Sequence, residues 1–218
     1  MESINRSLHS MDWITLVLFI SLVFLVISKS YFYSRFLNFL ILPFNNKYIF
    51  MYSKKDRLLS GFQVFFTAFQ VLNFALFIYL GSRALLDVEP VNTVLFYLYI
   101  LLLLLAVLLV KIIIQLGNAF IFNNGRVVSE LIFKKLSYLN YSALVMLLAN
   151  IILTYILPDS KWVVYGCILL VLVINIVGWI TLIKNHQKLI TTYFFYFILY
   201  LCALEIAPLV LIVNALTY

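Results

Sequence analysis

Six separate stretches of about 20 mostly apolar residues limit the fold of this chain more than any other feature of its sequence. A helix of that length crosses the ~30 Å hydrocarbon layer of a bilayer and satisfies its own backbone hydrogen bonds. The composition agrees, since 66% of the residues are hydrophobic and 11% are charged, against about a quarter charged in soluble domains. The sequence therefore predicts an all-α membrane protein, a single integral domain over residues 1–218 with six transmembrane helices. The predicted spans are about 11–28, 61–82, 93–114, 139–157, 162–183 and 192–214.

The positions of lysine and arginine predict how these helices are oriented. Twelve of the 15 lie in or beside the first, third and fifth connections, and only Arg6, Arg83 and Lys161 lie on the opposite side. Short cytoplasmic loops carry an excess of these residues, so we expect both termini outside and a multi-pass protein of the inner (cytoplasmic) membrane. The net charge of +7 and the pI of about 9.4 do not indicate nucleic-acid binding, because the basic residues cluster in these loops. The twelve are Lys29, Arg35, Lys47, Lys54, Lys55, Arg57, Lys111, Arg126, Lys134, Lys135, Lys184 and Lys188.

The first predicted cytoplasmic connection carries polar features of its own. Residues 31–42 place Ser34, Arg35 and Asn38 on one face among apolar residues, which predicts an amphipathic helix in the membrane interface. A basic patch follows, which would contact either anionic lipid or a cytoplasmic partner. It consists of Lys47, Lys54, Lys55 and Arg57.

The third apolar stretch is longer than a span requires. As one helix, residues 93–122 would be ~45 Å long, so the last third must tilt, emerge or bend into the interface. Lys111, Gln115 and Asn118 follow the i, i+4, i+7 spacing and share one helical face. This inner-interface polar stripe faces either the cytoplasmic headgroups, which the Lys111 amine can reach, or the bundle interior.

A weak pattern occurs twice along the chain. An asparagine, a Phe-Asn-Asn sequence, a lysine pair and an apolar span follow one another in the same order. If the pattern is a true repeat, spans one and two form a hairpin that spans three and four copy, as in transporters with parallel repeats. Composition alone can also produce similar Asn-rich and Lys-rich loops, so both interpretations stay open. The first copy has Asn38, Phe44-Asn45-Asn46 and Lys54-Lys55, and the second has Asn118, Phe122-Asn123-Asn124 and Lys134-Lys135.

Glu205 is the sharpest candidate for a functional residue, since it lies inside the sixth apolar stretch. An ionisable group at membrane depth is costly and indicates a functional site by default. Pro208 follows three residues later and breaks the helical hydrogen-bond ladder. Glu205, Asn73 and Asn150 would lie about 17–20 Å from the cytoplasmic side, with Asn175 nearer the inner half. These side chains are either hydrogen-bonding contacts between helices or parts of a proton relay.

The sequence shows no enzyme signature. It has no paired carboxylates, no Gly-rich phosphate loop and no His/Cys/Asp cluster with metal-ligand spacing. Cys167 and Cys202 lie inside apolar spans and are expected to be packing residues. We therefore expect no enzymatic activity, no metal and no cofactor.

Three stretches resemble a known family. They are His9-Ser-Met-Asp-Trp13, residues 36–48 with the sequence Phe-Leu-Asn-Phe-Leu-Ile-Leu-Pro-Phe-Asn-Asn-Lys-Tyr, and residues 199–208 with Glu205 and Pro208. Over nearly its whole length the chain resembles an uncharacterised family of small polytopic inner-membrane proteins from Bacteroidota, known as a domain of unknown function. The resemblance implies a multi-pass membrane protein with no established activity, and it includes Glu205 and Pro208 in a family motif. A membrane subunit restricted to Bacteroidota would suit a secretion or gliding machine of that lineage. This link rests on lineage and not on any residue of the chain.

Three functional hypotheses follow from these features. The first is a non-enzymatic membrane subunit, a scaffold or assembly partner of a larger cell-envelope complex, which contacts the lipid bilayer and other membrane subunits. The second is a proton-coupled channel or transporter that uses Glu205. The third and weakest is a lipid-modifying enzyme.

Overall fold

A computed structural model describes residues 12–43, 47–52, 60–86, 92–121 and 125–185, and these residues form helices with short connections and no strand. The predicted sixth span, 192–214, lies outside the described residues. The helices are α1 (Asp12–Tyr31), α2 (Tyr33–Leu40), α3 (Lys47–Tyr52), α4 (Gly61–Leu86), α5 (Thr93–Ile121), α6 (Gly125–Ile151) and α7 (Lys161–Asn185). A π-helical turn, Ile152–Ile156, continues α6.

Five helices are long and apolar enough to cross a membrane, which confirms the predicted class. They are Asp12–Tyr31, Gly61–Leu86, Thr93–Ile114, Ile132–Ile156 and Lys161–Thr181, close to five of the six predicted spans. The long third stretch forms one unbroken helix of 29 residues.

The helix that contains the fourth predicted span begins well before that span. The sequence placed Lys134 and Lys135 in a connection before a span at 139–157, whereas both residues lie on α6, which begins at Gly125. The hydropathy pattern treats a lysine pair as the end of an apolar stretch. In the structure Lys134 is buried and Lys135 is half-buried, because neighbouring elements pack around this part of α6.

Helices α1 and α4 form an antiparallel hairpin. Pairs of aromatic side chains join the two helices near both ends and in between. The start of α1 meets the end of α4, and the end of α1 meets the start of α4. Edge-on and tilted ring contacts of this kind stabilise a pair beyond the area that it buries. The ring centroids are 5.0 Å apart for Trp13 and Tyr79, 6.3 Å for Phe24 and Phe65, and 6.1 Å for Phe32 and Phe62.

Helices α4 and α6 run parallel and form the centre of the bundle. Near their starts, Phe62 and Phe133 both lie against Arg35 of α2. Near their ends, Arg83 of α4 donates a hydrogen bond of 3.3 Å to Asp159, in the turn after α6. Among the spanning helices, α4 is the most buried and α6 the next. The polar residues on these two helices are therefore the ones enclosed most completely by protein.

The other spanning helices surround this pair. Helix α7 runs antiparallel to α6, since its start packs Val164 against Gly81 of α4 and its later part packs Gly178 against Tyr138 of α6. The start of α5 contacts α1 through Tyr97, whose ring centroid lies 5.4 Å from that of Trp13. Thr15 of α1 and Tyr155 of the π-helical turn share a hydrogen bond of 2.8 Å.

Short helix α2 packs differently from the amphipathic pattern that its sequence suggested. Residues 33–40 are helical, as predicted, and Ser34 is exposed. Arg35, however, is buried together with Phe36 and Phe39, and Phe39 has no exposed surface. The face that turns inward therefore combines two aromatic rings with a guanidinium group.

Candidate polar site between the central helices

The clearest polar contact at membrane depth joins the two central helices. The side-chain amide of Asn150 on α6 donates to the backbone carbonyl of Asn73 on α4 at 3.0 Å, and its distance to the Asn73 side-chain oxygen is 3.5 Å. Asn73 in turn donates to the carbonyl of Phe69 in its own helix at 2.9 Å. Both asparagines are buried. The structure thus brings together two of the predicted site residues.

Asn175 takes part in a separate contact. Its amide donates to the hydroxyl of Ser142 on α6 at 3.0 Å and to the carbonyl of Val171 at 2.8 Å. This contact joins α7 to α6, two turns nearer the start of α6 than Asn150. Asn175 therefore attaches α7 to α6 at a place separate from the contact between Asn73 and Asn150.

We expect the Asn150 contact to stabilise the α4–α6 pair by a modest amount. Asn150→Leu keeps most of the side-chain volume but removes the donor, so the free energy of unfolding should fall by about 1 kcal/mol. Reversible unfolding in mixed detergent micelles measures this change. Leu148→Asn, at an exposed position of the same helix, is the control for a change in amide content. Unchanged stability of Asn150→Leu would show that the Asn150 hydrogen bond does not stabilise the α4–α6 pair.

Arg35 occupies a cage of aromatic rings, a site that the sequence did not reveal. Its guanidinium carbon lies 4.9 Å from the ring centre of Tyr52 and 5.0 Å from that of Phe62. The rings of Tyr48 and Phe133 follow at 5.9 and 5.8 Å. A cation over the face of an aromatic ring is attracted to it, most strongly away from water. Arg35 thereby connects α2 to α3, α4 and α6.

Of the predicted polar stripe, the structure describes the side chain of Lys111 alone. Lys111 is half-buried on α5 and lies next to Lys135 of α6. The Lys135 amine also lies 5.4 Å from the ring centre of Trp179 on α7. Gln115 and Asn118 belong to the same helix, but their side chains lie outside the described part. The stripe therefore begins at a junction of three helices.

The remaining predicted site residues lie outside the described residues. Glu205 and Pro208 belong to this group, and so do Lys54, Lys55 and Arg57 of the basic patch. Lys47 begins α3, but its side chain is not described. A proton relay through Glu205 and a lipid-binding role of the patch remain predictions.

The two central helices also carry a set of buried amides that was not predicted from the sequence. Gln63 and Gln70 of α4 and Asn140 of α6 are all buried. Within the described residues, both amide atoms of Gln63 and of Asn140, and the side-chain oxygen of Gln70, form no hydrogen bond. The i, i+7 spacing of Gln63 and Gln70 could have indicated a shared face. These groups can donate and accept hydrogen bonds but carry no charge.

These features define a class, a helical membrane protein with several spans and a polar centre between α4 and α6. The chain belongs to the family described as Domain of unknown function (DUF4271), whose model matches residues 14–216. This match confirms the predicted family and covers Glu205 and Pro208, while an origin in Bacteroidota stays a prediction. No curated protein and no solved structure matches the chain.

Proposed function

We propose that the protein is a non-enzymatic, multi-pass subunit of the inner membrane that scaffolds or assembles a larger cell-envelope complex. The observation that supports this most is the outward surface of α5 and α7. Of the described α5 side chains only Tyr97 and Ile100 are buried. The described part of α7 has almost as small a buried share. Two spanning helices thus offer broad apolar faces to lipid or to helices of another subunit.

The chemistry of these faces suits helix packing. Helix association in lipid depends on close van der Waals contact, which small residues permit. Gly166 lies on the exposed side of α7, and a Cβ atom added there would meet nothing within 4 Å. A partner helix could therefore approach α7 closely at this position. The described polar side chains of Asn150 and Asn175, in contrast, already bind neighbouring helices of the same chain.

Gentle purification from native membranes tests the proposal. The chain should elute with one or more other membrane proteins at constant stoichiometry, and Gly166→Leu should reduce their recovery because the larger side chain blocks close approach. Leu102→Ala, at an exposed position of α5, shows whether an outward substitution by itself perturbs the complex. Elution of the native chain as a lone monomer or homodimer would contradict the proposal.

The second candidate function is a proton-coupled channel or transporter that uses Glu205. One observation favours it: buried amides that form no hydrogen bond within the described residues extend from the start of α4 towards the Asn73–Asn150 contact. A relay needs groups of this kind, because a moving proton must exchange hydrogen-bond partners along its path.

Glu205→Gln separates the two functions. Glutamine keeps the hydrogen-bonding capacity of the carboxyl group but cannot release a proton near neutral pH. We expect the variant to assemble with its partners like the native chain. A loss of proton-driven flux in reconstituted vesicles, with normal assembly, would favour the channel or transporter over the scaffold.

A further inference from the structure

A file of polar side chains runs along the first half of α4. Ser60 precedes the helix, Gln63 lies in its first turn, and Gln70 and Asn73 follow deeper in the span. Gln70 lies about 14 Å and Asn73 about 18 Å from the start of the helix. Gln63 and Gln70 are only 2% and 5% exposed.

Helix α6 carries a matching file. Ser137, Asn140 and Asn150 follow Ser60, Gln63 and Asn73 at the same separation of 77 residues. Because α4 and α6 are parallel and in register at Asn73 and Asn150, the members of each pair lie at similar depth. Asn140 has no exposed surface.

The hydrogen bonds divide these residues into two groups. The hydroxyls of Ser137, Ser142 and Thr154 donate to carbonyls of their own helix. The amides of Gln63 and Asn140 do not bond within the described residues, and neither do the oxygens of Ser60, Gln70 and Asn150. Polar groups buried without a partner lose their hydration without compensation, so native proteins satisfy nearly all of them with protein atoms or ordered water.

The deeper part of α4 limits how far such water could extend. Beyond Asn73, the buried residues of α4 are mostly apolar and include Leu76, Phe77 and Leu80; Tyr79 is the one among them that carries a hydroxyl. Water is small, it both donates and accepts, and it needs two to four polar partners. Neutral amides and hydroxyls on two facing helices provide such partners, whereas an ion would need compensating charge.

We propose that Gln63, Gln70 and Asn140 line an internal water-binding site, a hydrated file that enters level with the start of α4 and ends at the Asn73–Asn150 contact. It needs no partner subunit and no titration of Glu205, so it stands independently of the proposed function.

Cysteine labelling tests the hydrated file directly. Gln70→Cys and Asn140→Cys are introduced separately into the full chain, from which the two native cysteines are removed by Cys167→Ala and Cys202→Ala. Sealed vesicles of each orientation are then treated with a membrane-impermeant methanethiosulfonate. A thiol reacts as the thiolate, which forms in water and not in hydrocarbon. Both variants should react about tenfold or more faster than Leu76→Cys, which lies on α4 beyond Asn73. They should react from the side on which the exposed Ser34→Cys reacts.

Equal, slow labelling of Gln70→Cys, Asn140→Cys and Leu76→Cys would overturn the proposal. Labelling from the side opposite to Ser34→Cys would overturn it as well, because the file would then be open beyond the Asn73–Asn150 contact.

A second measurement does not depend on introduced thiols. Gln70→Met keeps the length of the side chain and removes the amide. If water binds the amide, the thermal midpoint in detergent should stay level or fall, since favourable hydrogen bonds are lost. A midpoint that rises by several degrees would show that the native amide is buried dry, and it would contradict the hydrated file.

Discussion

Arg35→Ala is expected to lower the free energy of unfolding by about 2–4 kcal/mol, the largest single effect among the described polar residues. The substitution removes a buried guanidinium from between four aromatic rings and leaves a cavity where α2, α3, α4 and α6 meet. Detergent-induced unfolding, followed by tryptophan fluorescence, measures the loss.

Two further variants separate packing from charge at this site. Arg35→Met keeps much of the side-chain volume, so it should restore part of the stability and leave a deficit from the lost cation–aromatic attraction. Tyr33→Ala, at an exposed position of the same short helix, should change stability little. Equal stability of Arg35→Ala and the native chain would show that the cage does not hold α2 and α3 on the bundle.

Gly178→Ala is expected to destabilise the α6–α7 pair by about 2 kcal/mol, because it overpacks a tight contact. A Cβ atom at Gly178 would lie 2.6 Å from the Cγ atom of Tyr138 and 2.8 Å from Cδ2. These atoms belong to the base and side of the ring, so the ring cannot yield without moving its helix. Thermal unfolding in the same detergent provides the measurement.

Gly166→Ala is the matched control on the same helix, since a Cβ atom there would meet nothing within 4 Å. This variant should be as stable as the native chain or slightly more stable, because alanine favours the helix over glycine. Tyr138→Leu combined with Gly178→Ala should recover part of the loss, as contacting residues do not act additively. Similar effects of Gly166→Ala and Gly178→Ala would contradict the close approach of α6 and α7.

Hydropathy was sufficient to predict five helices of membrane-spanning length because a bilayer imposes both their length and their composition. The sixth predicted span lies outside the described residues. Helix α5 begins at Thr93, where the third span was predicted to begin. Rise per residue placed Asn73 and Asn150 at a similar depth, and the structure shows them in contact. The same criterion placed Lys134 and Lys135 in a connection, because it counts a charge as the end of a span, whereas both residues lie on α6 and Lys134 is buried.

Contacts between distant segments could not be predicted in this way. The ring cage of Arg35 draws residues from three other helices, and no local pattern links Tyr52, Phe62 and Phe133 to one arginine. Gln63 and Asn140 could not be predicted as site residues for another reason. Neutral amides barely alter the hydropathy of an apolar stretch. What distinguishes these two is their burial without a hydrogen bond within the described residues.

The central claim is that this chain works as a subunit of a larger membrane complex, and its mass in the native membrane tests that claim most directly. Native mass spectrometry of particles released from their own membrane should give a mass above the 25.4 kDa of the chain, with the excess assigned to other polypeptides. A particle of 25.4 kDa, or of a whole multiple of that mass, would contradict the claim.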